Sequence, residues 1–132
     1  VDKDERNSRL QAGRNFQTSD ERVFAIGDAA LIDQPDDDPA PPTAQAAWQA
    51  AEVVGENIAR QIRGQPLKEW KYKNKGTVVS VGEDAVAHDV FIVPFIDTFG
   101  GVMARTLKKA IAARWINDVT GIGRAVNAWS DM

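Results

Sequence analysis

Apolar and polar positions alternate in blocks along this chain, and the first informative block is the short apolar run from Val23 to Ile26. Such a run is typical of a strand covered on both faces of an α/β sheet, although its length also fits a buried helical turn. At Gly27 the missing side chain allows a sharp turn or the close approach of another molecule. The pattern therefore predicts a strand that ends just before Asp28.

Asp28 follows the predicted strand at the edge where open α/β sheets bind ligands. An ionised carboxylate only accepts hydrogen bonds, so it suits the hydroxyl groups of a ribityl or ribose chain. The alternative is that Asp28 merely caps the next turn. The Gly-Asp pair alone leaves both interpretations open.

The longest periodic segment predicts a helix over residues 43–63, with an apolar stripe along one side. Thr43 is a typical N-cap, and Gly64 is a typical stop after basic residues in the last turn. Gln45 and Gln49 lie four positions apart, so they share one face near the positive end of the helix dipole. The spacing alone also fits an ordinary solvated face.

Alternating residues over 76–98 predict a two-stranded ribbon with a turn at 82–84. The second strand places four side chains on one face, namely Val86, His88, Val90 and Ile92. The sequence therefore favours a strand-face position for His88 over a role as proton donor.

From residue 99 onwards, apolar positions recur at helical spacing among basic residues, with no acidic residue between Asp97 and Asp118. The predicted apolar face consists of Phe99, Met103, Leu107, Ile111 and Trp115, with Trp129 in a second short repeat. Such a face suits a helix that lies in an anionic bilayer surface. The same stripe could instead pack on the sheet or on a second subunit.

The composition is that of a globular protein, with 43% hydrophobic and 27% charged residues. The absence of cysteine excludes a disulfide framework, a thiolate metal site and thiol redox chemistry within the chain. With a single histidine and an acidic loop at 33–42 that lacks the glycine and glutamate of an EF-hand, no metal site is expected.

Several segments, taken in order, resemble one family. The residues Val-Phe-Ala-Ile-Gly-Asp-Ala-Ala at 23–30 and Pro-Pro-Thr-Ala-Gln-Ala-Ala-Trp-Gln at 41–49 resemble the second flavin motif and the AQxAxQ motif of type II NADH:quinone oxidoreductases. Lys75-Gly76-Thr77 resembles the family's Lys-Gly strand entry, and residues 100–129 are similar to its C-terminal membrane-associated helices. These are FAD-dependent members of the pyridine nucleotide-disulfide oxidoreductase superfamily.

The resemblance implies a mixed fold, α/β or α+β. Residues 1–64 would form part of a Rossmann-like FAD-binding domain, built from a strand, a loop and a long helix. Residues 65–98 would form a small β ribbon, and residues 99–132 amphipathic helices that associate with a membrane or a second copy.

The resemblance also implies ligand contacts. FAD would be bound by Gly27, Asp28, Ala29, Thr43, Ala44, Gln45 and Lys75. Asp28 would accept from the ribityl chain, and the helix N-terminus at Thr43 would reach the pyrimidine side of the flavin. Gln45 and Gln49 would line the quinone pocket and donate amide hydrogens to quinone oxygens.

The sequence contains no GxGxxG fingerprint between a strand and a helix, although such an enzyme needs one for FAD and another for NADH. We therefore expect the carboxyl-terminal portion of an enzyme, inactive alone and peripheral on the cytoplasmic face of the cell membrane. The expected partners are the rest of the parent chain, quinone, an anionic membrane surface and, as an alternative, a second copy, with NADH as substrate and no nucleic acid.

Two other interpretations stay open. The chain could be a stand-alone interaction domain that kept the fold without the cofactor. It could also belong to a sulfide:quinone or disulfide reductase, which shares the Gly-Asp motif. Those enzymes work through cysteines, so the absence of cysteine favours the type II family.

Overall fold

A computed structural model describes residues 1–35, 38–81, 84–88, 98–122, 124, 128 and 129. The chain divides into two compact units, Val1–Asn74 and Lys75–Met132. Both units combine helix and strand, so the mixed α and β character predicted from the sequence is confirmed.

The first unit contains a short parallel pair of strands. β1 spans Leu10–Ala12 and β2 spans Ala30–Ile32, with Leu10 opposite Ala30 and Ala12 opposite Ile32. Ala30 and Ile32 are buried, whereas β1 is only partly covered. β2 is therefore the buried strand of this unit, and it begins after Asp28.

The regular strand predicted at Val23–Ile26 is wrong. This segment is extended, but it pairs with its neighbour through a single bridge between Phe24 and Gln17, made by the hydrogen bonds from Ala25 N–H to the Phe16 carbonyl and from Thr18 N–H to the Val23 carbonyl (both 3.0 Å). Of the four residues only Ala25 is buried. A strand covered on both faces needs a continuous ladder of paired residues, which a single bridge does not provide. The apolar run therefore indicates an extended segment and not a regular strand.

α1 spans Ala44–Ile62, as the periodicity predicted. The Thr43 hydroxyl accepts a hydrogen bond from Ala46 N–H at 3.3 Å, which satisfies one of the unpaired amides of the first turn. At the other end Gly64 has φ +65°, and its N–H donates to the Gln61 carbonyl at 3.0 Å. With the bond from Gln65 N–H to the Arg60 carbonyl at 2.9 Å, this forms a Schellman motif.

The stretch at residues 65–74 packs along α1 although it has no regular secondary structure. Asn57 of α1 is fully buried; its side-chain oxygen accepts from Lys68 N–H (2.8 Å), and its amide nitrogen donates to the Lys68 and Asn15 carbonyls (2.9 and 3.1 Å). The Trp70 ring lies 5.4 Å from the Phe16 ring within the core. These contacts hold residues 65–74 in the first unit, so the observed division after Asn74 differs from the predicted boundary after residue 64.

The second unit is built on an antiparallel sheet with the order β3-β4-β5. β3 spans Thr77–Val81 and β4 spans Asp84–His88, which confirms the predicted ribbon. The prediction did not include a third strand, but β5 spans Thr98–Gly100 and pairs with β4. The predicted strand positions Val90 and Ile92 lie outside the described residues.

α2 spans Gly101–Thr120 and packs on this sheet through Ala104 and Leu107, which contact a small core of Ala85 and Ala87. The prediction that Phe99 lies on the helix is wrong, because Phe99 pairs with Ala87 within β5. The chain leaves the strand at Gly101, whose φ of +68° is a conformation that residues with a Cβ rarely adopt. None of the described helices combines the length and the apolar character that crossing a bilayer requires.

Candidate functional site

The turn at Gly27–Ala29 packs against α1. Gly27 has φ +66°, and a Cβ built there would lie 3.5 Å from the Cβ of Ala47. There is room for a methyl group, so it is the left-handed backbone that favours glycine at this position. Asp28 and Ala29 are both exposed, and the Asp28 carboxylate can therefore reach a ligand.

The N-terminus of α1 lies in the same unit as this turn. Thr43 and Ala44 are exposed, and Gln45 is half-buried. The Thr43 cap satisfies the amide of Ala46, while the Thr43 carbonyl accepts from Ala47 N–H at 3.0 Å. The first amides of a helix point away from its body and the dipole is positive there, which makes this end an electropositive surface.

A connected set of polar groups continues along this side of α1. The Gln49 amide nitrogen donates to the Lys73 carbonyl at 2.9 Å, and the Gln49 oxygen accepts from Lys73 N–H at 3.1 Å. The Tyr72 hydroxyl donates to the Gln45 oxygen at 3.0 Å. We refer to Gln45, Gln49, Tyr72 and the Lys73 backbone as the glutamine face.

The sequence prediction identified the two glutamines but missed their partner. Tyr72 lies in a run of lysines, from which the sequence analysis singled out only Lys75. The signal that could have found it is the two-residue spacing of Trp70 and Tyr72, which places both rings on one side of an extended segment. The rings lie 6.2 Å apart between their centroids.

Lys75 is the first residue of the second unit, where its side chain is exposed. Gly76 follows with φ +92° and leads into β3. The role predicted for Lys75 beside the flavin stays a prediction.

Sequence reasoning also missed Arg9, which precedes β1. Its guanidinium donates through Nη2 to the Ala30 carbonyl, one residue beyond the Asp28 turn. Its Nε is buried and has no hydrogen-bond partner among the described residues. Since buried donors are normally paired, this guanidinium is incompletely satisfied beside the turn.

The shifted pKa values lie away from the glutamine face. A hydrogen bond from Lys68 lowers the pKa of the Glu56 carboxyl, helped by the charges of Lys68 and Arg60. A hydrogen bond from Arg22 likewise lowers the pKa of Asp20. These pairs are exposed, so they are surface ion pairs and not candidates for acid–base chemistry.

An open cleft of about 470 Å³ lies at the carboxyl ends of β1 and β2. It is lined by Ala12, Gly13, Arg14, Asp33, Gln34 and Pro35. Because Asp28 precedes β2, the cleft lies at the opposite end of that strand from the Asp28 turn. Arg14 is paired with Glu69 at 2.5 Å, so the positive charge that Arg14 brings to this cleft is compensated.

No protein-family model matches this sequence. The chain is 37% identical over 106 residues to the type II NADH:quinone oxidoreductases of Staphylococcus aureus strains MSSA476 and NCTC 8325, and the match covers 80% of the chain. The chain is related to the type II NADH:quinone oxidoreductases. The resemblance drawn from the motifs is therefore confirmed. The match covers only 25% of the length of these relatives.

A solved structure supports the fold. The sulfide:quinone oxidoreductase of the hyperthermophilic bacterium Aquifex aeolicus aligns with a TM-score of 0.58 over 91% of the chain and 30% of its own length, at 24% identity. The kinship with type II NADH:quinone oxidoreductases rests on the sequence match, while this alignment shows a fold shared with another quinone oxidoreductase.

Proposed function

We propose that the intact protein is an FAD-dependent NADH:quinone oxidoreductase and that this chain contributes to its flavin and quinone sites. The proposal is carried by the packing of the Gly27–Ala29 turn on the first turns of α1, because this brings both motifs of the resemblance together in one unit. The sequence relatives named type II NADH:quinone oxidoreductase support the activity.

The residues present fit FAD chemically. Asp28 supplies an exposed acceptor for ribityl hydroxyls, and the left-handed Gly27 brings the backbone close to α1. The guanidinium of Arg9, fixed on Ala30 and incompletely satisfied, adds positive charge beside the turn that would lie near the phosphates.

The N-terminus of α1 would act electrostatically. The positive end of the helix dipole favours negative charge, so Thr43 to Gln45 would stabilise charge on the pyrimidine side of the ring. Bound FAD would supply the two-electron transfer from NADH to quinone. The contribution of this chain is to orient the cofactor and to offer hydrogen-bond donors to the quinone from the glutamine face.

A spectroscopic assay of the intact protein tests this function. The purified protein should contain FAD that is bleached by NADH without oxygen and recovers its absorbance when a menaquinone or ubiquinone analogue is added. A protein without flavin, or one whose bleached flavin does not respond to quinone, would contradict the proposal.

Asp28→Asn should lower FAD affinity about 10-fold or more, since a hydrogen bond that involves a charged group contributes about 1.5–3 kcal/mol. Cofactor content after dialysis and the dissociation constant of re-added FAD measure the effect. Asp38→Asn is the matched control, because Asp38 is also an exposed acid but lies in the loop between β2 and α1. Equal FAD loss in both variants would show that general charge, not the Asp28 contact, matters.

We also propose that α2 attaches the protein to the cytoplasmic face of an anionic membrane. Met103, Leu107, Ile111 and Trp115 follow one another at four-residue spacing; Leu107 packs on the sheet, while the other three are 62%, 44% and 53% exposed. Four basic residues lie between them or beside them along the same helix, namely Arg105, Lys108, Lys109 and Arg114, the last of which pairs with Asp118 at 3.9 Å. Trp129 is 41% exposed as well. An apolar row flanked by cations suits an anionic bilayer surface.

Replacing both Ile111 and Trp115 with serine should reduce binding of the intact protein to phosphatidylglycerol vesicles about 10-fold or more, because each buried side chain of this size contributes about 1.5–3 kcal/mol. Point substitutions are preferable to truncation at residue 99, which would remove β5 and uncover the sheet. Co-sedimentation measures the binding. Val79→Ser is the control, because Val79 is 55% exposed on β3. Unchanged vesicle binding in the double variant would refute the anchor.

A further inference from the structure

The turn that carries Asp28 is held at its end by Ala30. Gly27–Ala29 forms a single turn of 3₁₀ helix, and no described side chain caps its start. The Ala30 N–H donates to the Gly27 carbonyl, which closes the turn. The Ala30 carbonyl accepts from Nη2 of Arg9. The position of Asp28 therefore depends on how Ala30 is held.

Arg9 connects this turn to the neighbouring strand. It directly precedes β1, whose first residue, Leu10, lies opposite Ala30 in the parallel pair. The bond from Arg9 to Ala30 is partly buried and joins positions 21 residues apart. A guanidinium presents its N–H groups in a rigid plane, so this bond restrains the direction of the Ala30 carbonyl as well as its distance.

The stability of the fold does not account for the Arg9 guanidinium. Its Nε is buried and has no acceptor among the residues that the structure describes. A buried donor without an acceptor destabilises the folded state, and an apolar replacement of a buried charged group is often neutral or stabilising. The contribution of Arg9 is therefore sought in the turn that it restrains.

We propose that Arg9 is a positioning residue that fixes the Gly27–Ala29 turn through Ala30 and so holds the Asp28 carboxylate toward the ribityl hydroxyls of FAD. This inference rests on the proposed function. Without the bond from Arg9, the exposed turn would sample orientations in which the carboxylate does not reach the ligand. Ordering the turn on binding would then lower the affinity for FAD.

In the intact protein, Arg9→Met should raise the dissociation constant of re-added FAD about 3-fold to 10-fold, because one hydrogen bond to the turn is lost. The urea midpoint of the FAD-free protein should stay the same or rise, because the unpaired Nε–H is removed as well. An unchanged affinity for FAD would overturn the inference. A lower urea midpoint would also overturn it, because Arg9 would then serve general stability.

Arg6→Met is the matched control for the loss of a positive charge. Arg6 is an exposed arginine in the turn before β1, three positions from Arg9. Its replacement should leave the affinity for FAD at the wild-type value. An equal loss of affinity in both variants would show that net charge matters and that the bond to Ala30 does not.

Riboflavin separates positioning of Asp28 from direct attraction of the phosphates. Riboflavin carries the ribityl hydroxyls but no phosphate. If Arg9 acts through Asp28, Arg9→Met should weaken the binding of riboflavin and of FAD by the same factor, measured by flavin fluorescence on the FAD-free protein. A loss confined to FAD would show that Arg9 binds phosphate, and it would overturn the positioning role.

The decisive measurement repeats Arg9→Met in an Asp28→Ala background, which lacks the carboxylate. If Arg9 acts only by positioning Asp28, it should raise the dissociation constant of FAD no further there. A second, additive increase would overturn the positioning role and leave the proposed function intact. An intact wild-type protein that binds no FAD would overturn the proposed function and this inference together.

Discussion

Asn57→Ala should lower the free energy of unfolding by about 3–5 kcal/mol, which places it among the most damaging single changes in the first unit. The side chain is fully buried, and its removal leaves the Lys68 N–H and the carbonyls of Lys68 and Asn15 without partners. These three groups are partly buried, and a polar group left unpaired out of reach of water costs about 1–3 kcal/mol. Urea unfolding of the intact protein, followed by tryptophan fluorescence, measures the loss.

Two further variants separate the causes of this loss. Asn57→Leu refills most of the volume but leaves the same polar groups unpaired, so it should stay far below wild type if the hydrogen bonds dominate. Wild-type stability in Asn57→Leu would show that the alanine variant fails through its cavity. Glu52→Ala, at an exposed position of the same helix, should change stability by no more than about 0.5 kcal/mol.

The second large effect is expected at Phe16, which is fully buried against Trp70. Phe16→Ala should cost about 3–5 kcal/mol, because it removes an aromatic ring from the core of the first unit. The same urea titration detects the loss, and the fluorescence of Trp70 should shift toward that of a more solvated indole.

A further substitution at Phe16 tests its left-handed backbone conformation. Its φ of +72° lies in the left-handed region, where a residue with a Cβ pays about 1–2 kcal/mol. Phe16→Gly should therefore be at least as stable as Phe16→Ala, the reverse of the usual order of these two residues. A glycine variant clearly less stable than the alanine variant would mean that the left-handed conformation is not retained when the ring is removed.

Local patterns predicted those parts of the fold that local interactions determine. α1 and its capping residues Thr43 and Gly64 could be predicted because periodicity and cap chemistry act within a few residues. The ribbon of β3 and β4 followed from alternation and a turn in the same way.

The failures arise from pairings distant in sequence. The residues around Val23–Ile26 do not show that this segment would form only an isolated bridge. Similarly, the residues around Phe99 do not show that it would pair with Ala87 in a third strand. The packing of residues 65–74 on α1 depends on Asn57, a polar residue whose buried position has no periodic signature. A polar side chain in a helix is ordinarily read as solvated.

The residues of the candidate site also fall into those that the sequence predicted and those that it did not. Asp28, Gln45 and Gln49 could be found because their motifs are contiguous or helical. Tyr72 and Arg9 could not, because each acts through a contact with a residue more than 20 positions away. The hydrogen bonds between the Gln49 side chain and the Lys73 backbone could not be predicted either. Every residue except proline carries the same backbone N–H and carbonyl groups, so the sequence does not show which of them will be used.

The stretch from Lys68 to Lys73 lacks regular structure, yet its length cannot vary freely. Asn57 binds Lys68 and Gln49 binds Lys73, so the stretch runs antiparallel to α1 and is fastened to it at two points. Eight helical residues rise about 12 Å, whereas the five-residue step between the lysines could span about 17 Å, so the stretch is not fully extended and its register is set by its contacts. One inserted or deleted residue would turn Trp70 or Tyr72 to the opposite side. This irregular segment therefore fixes the positions of Trp70 and Tyr72 relative to α1, with Trp70 in the core and Tyr72 on the glutamine face.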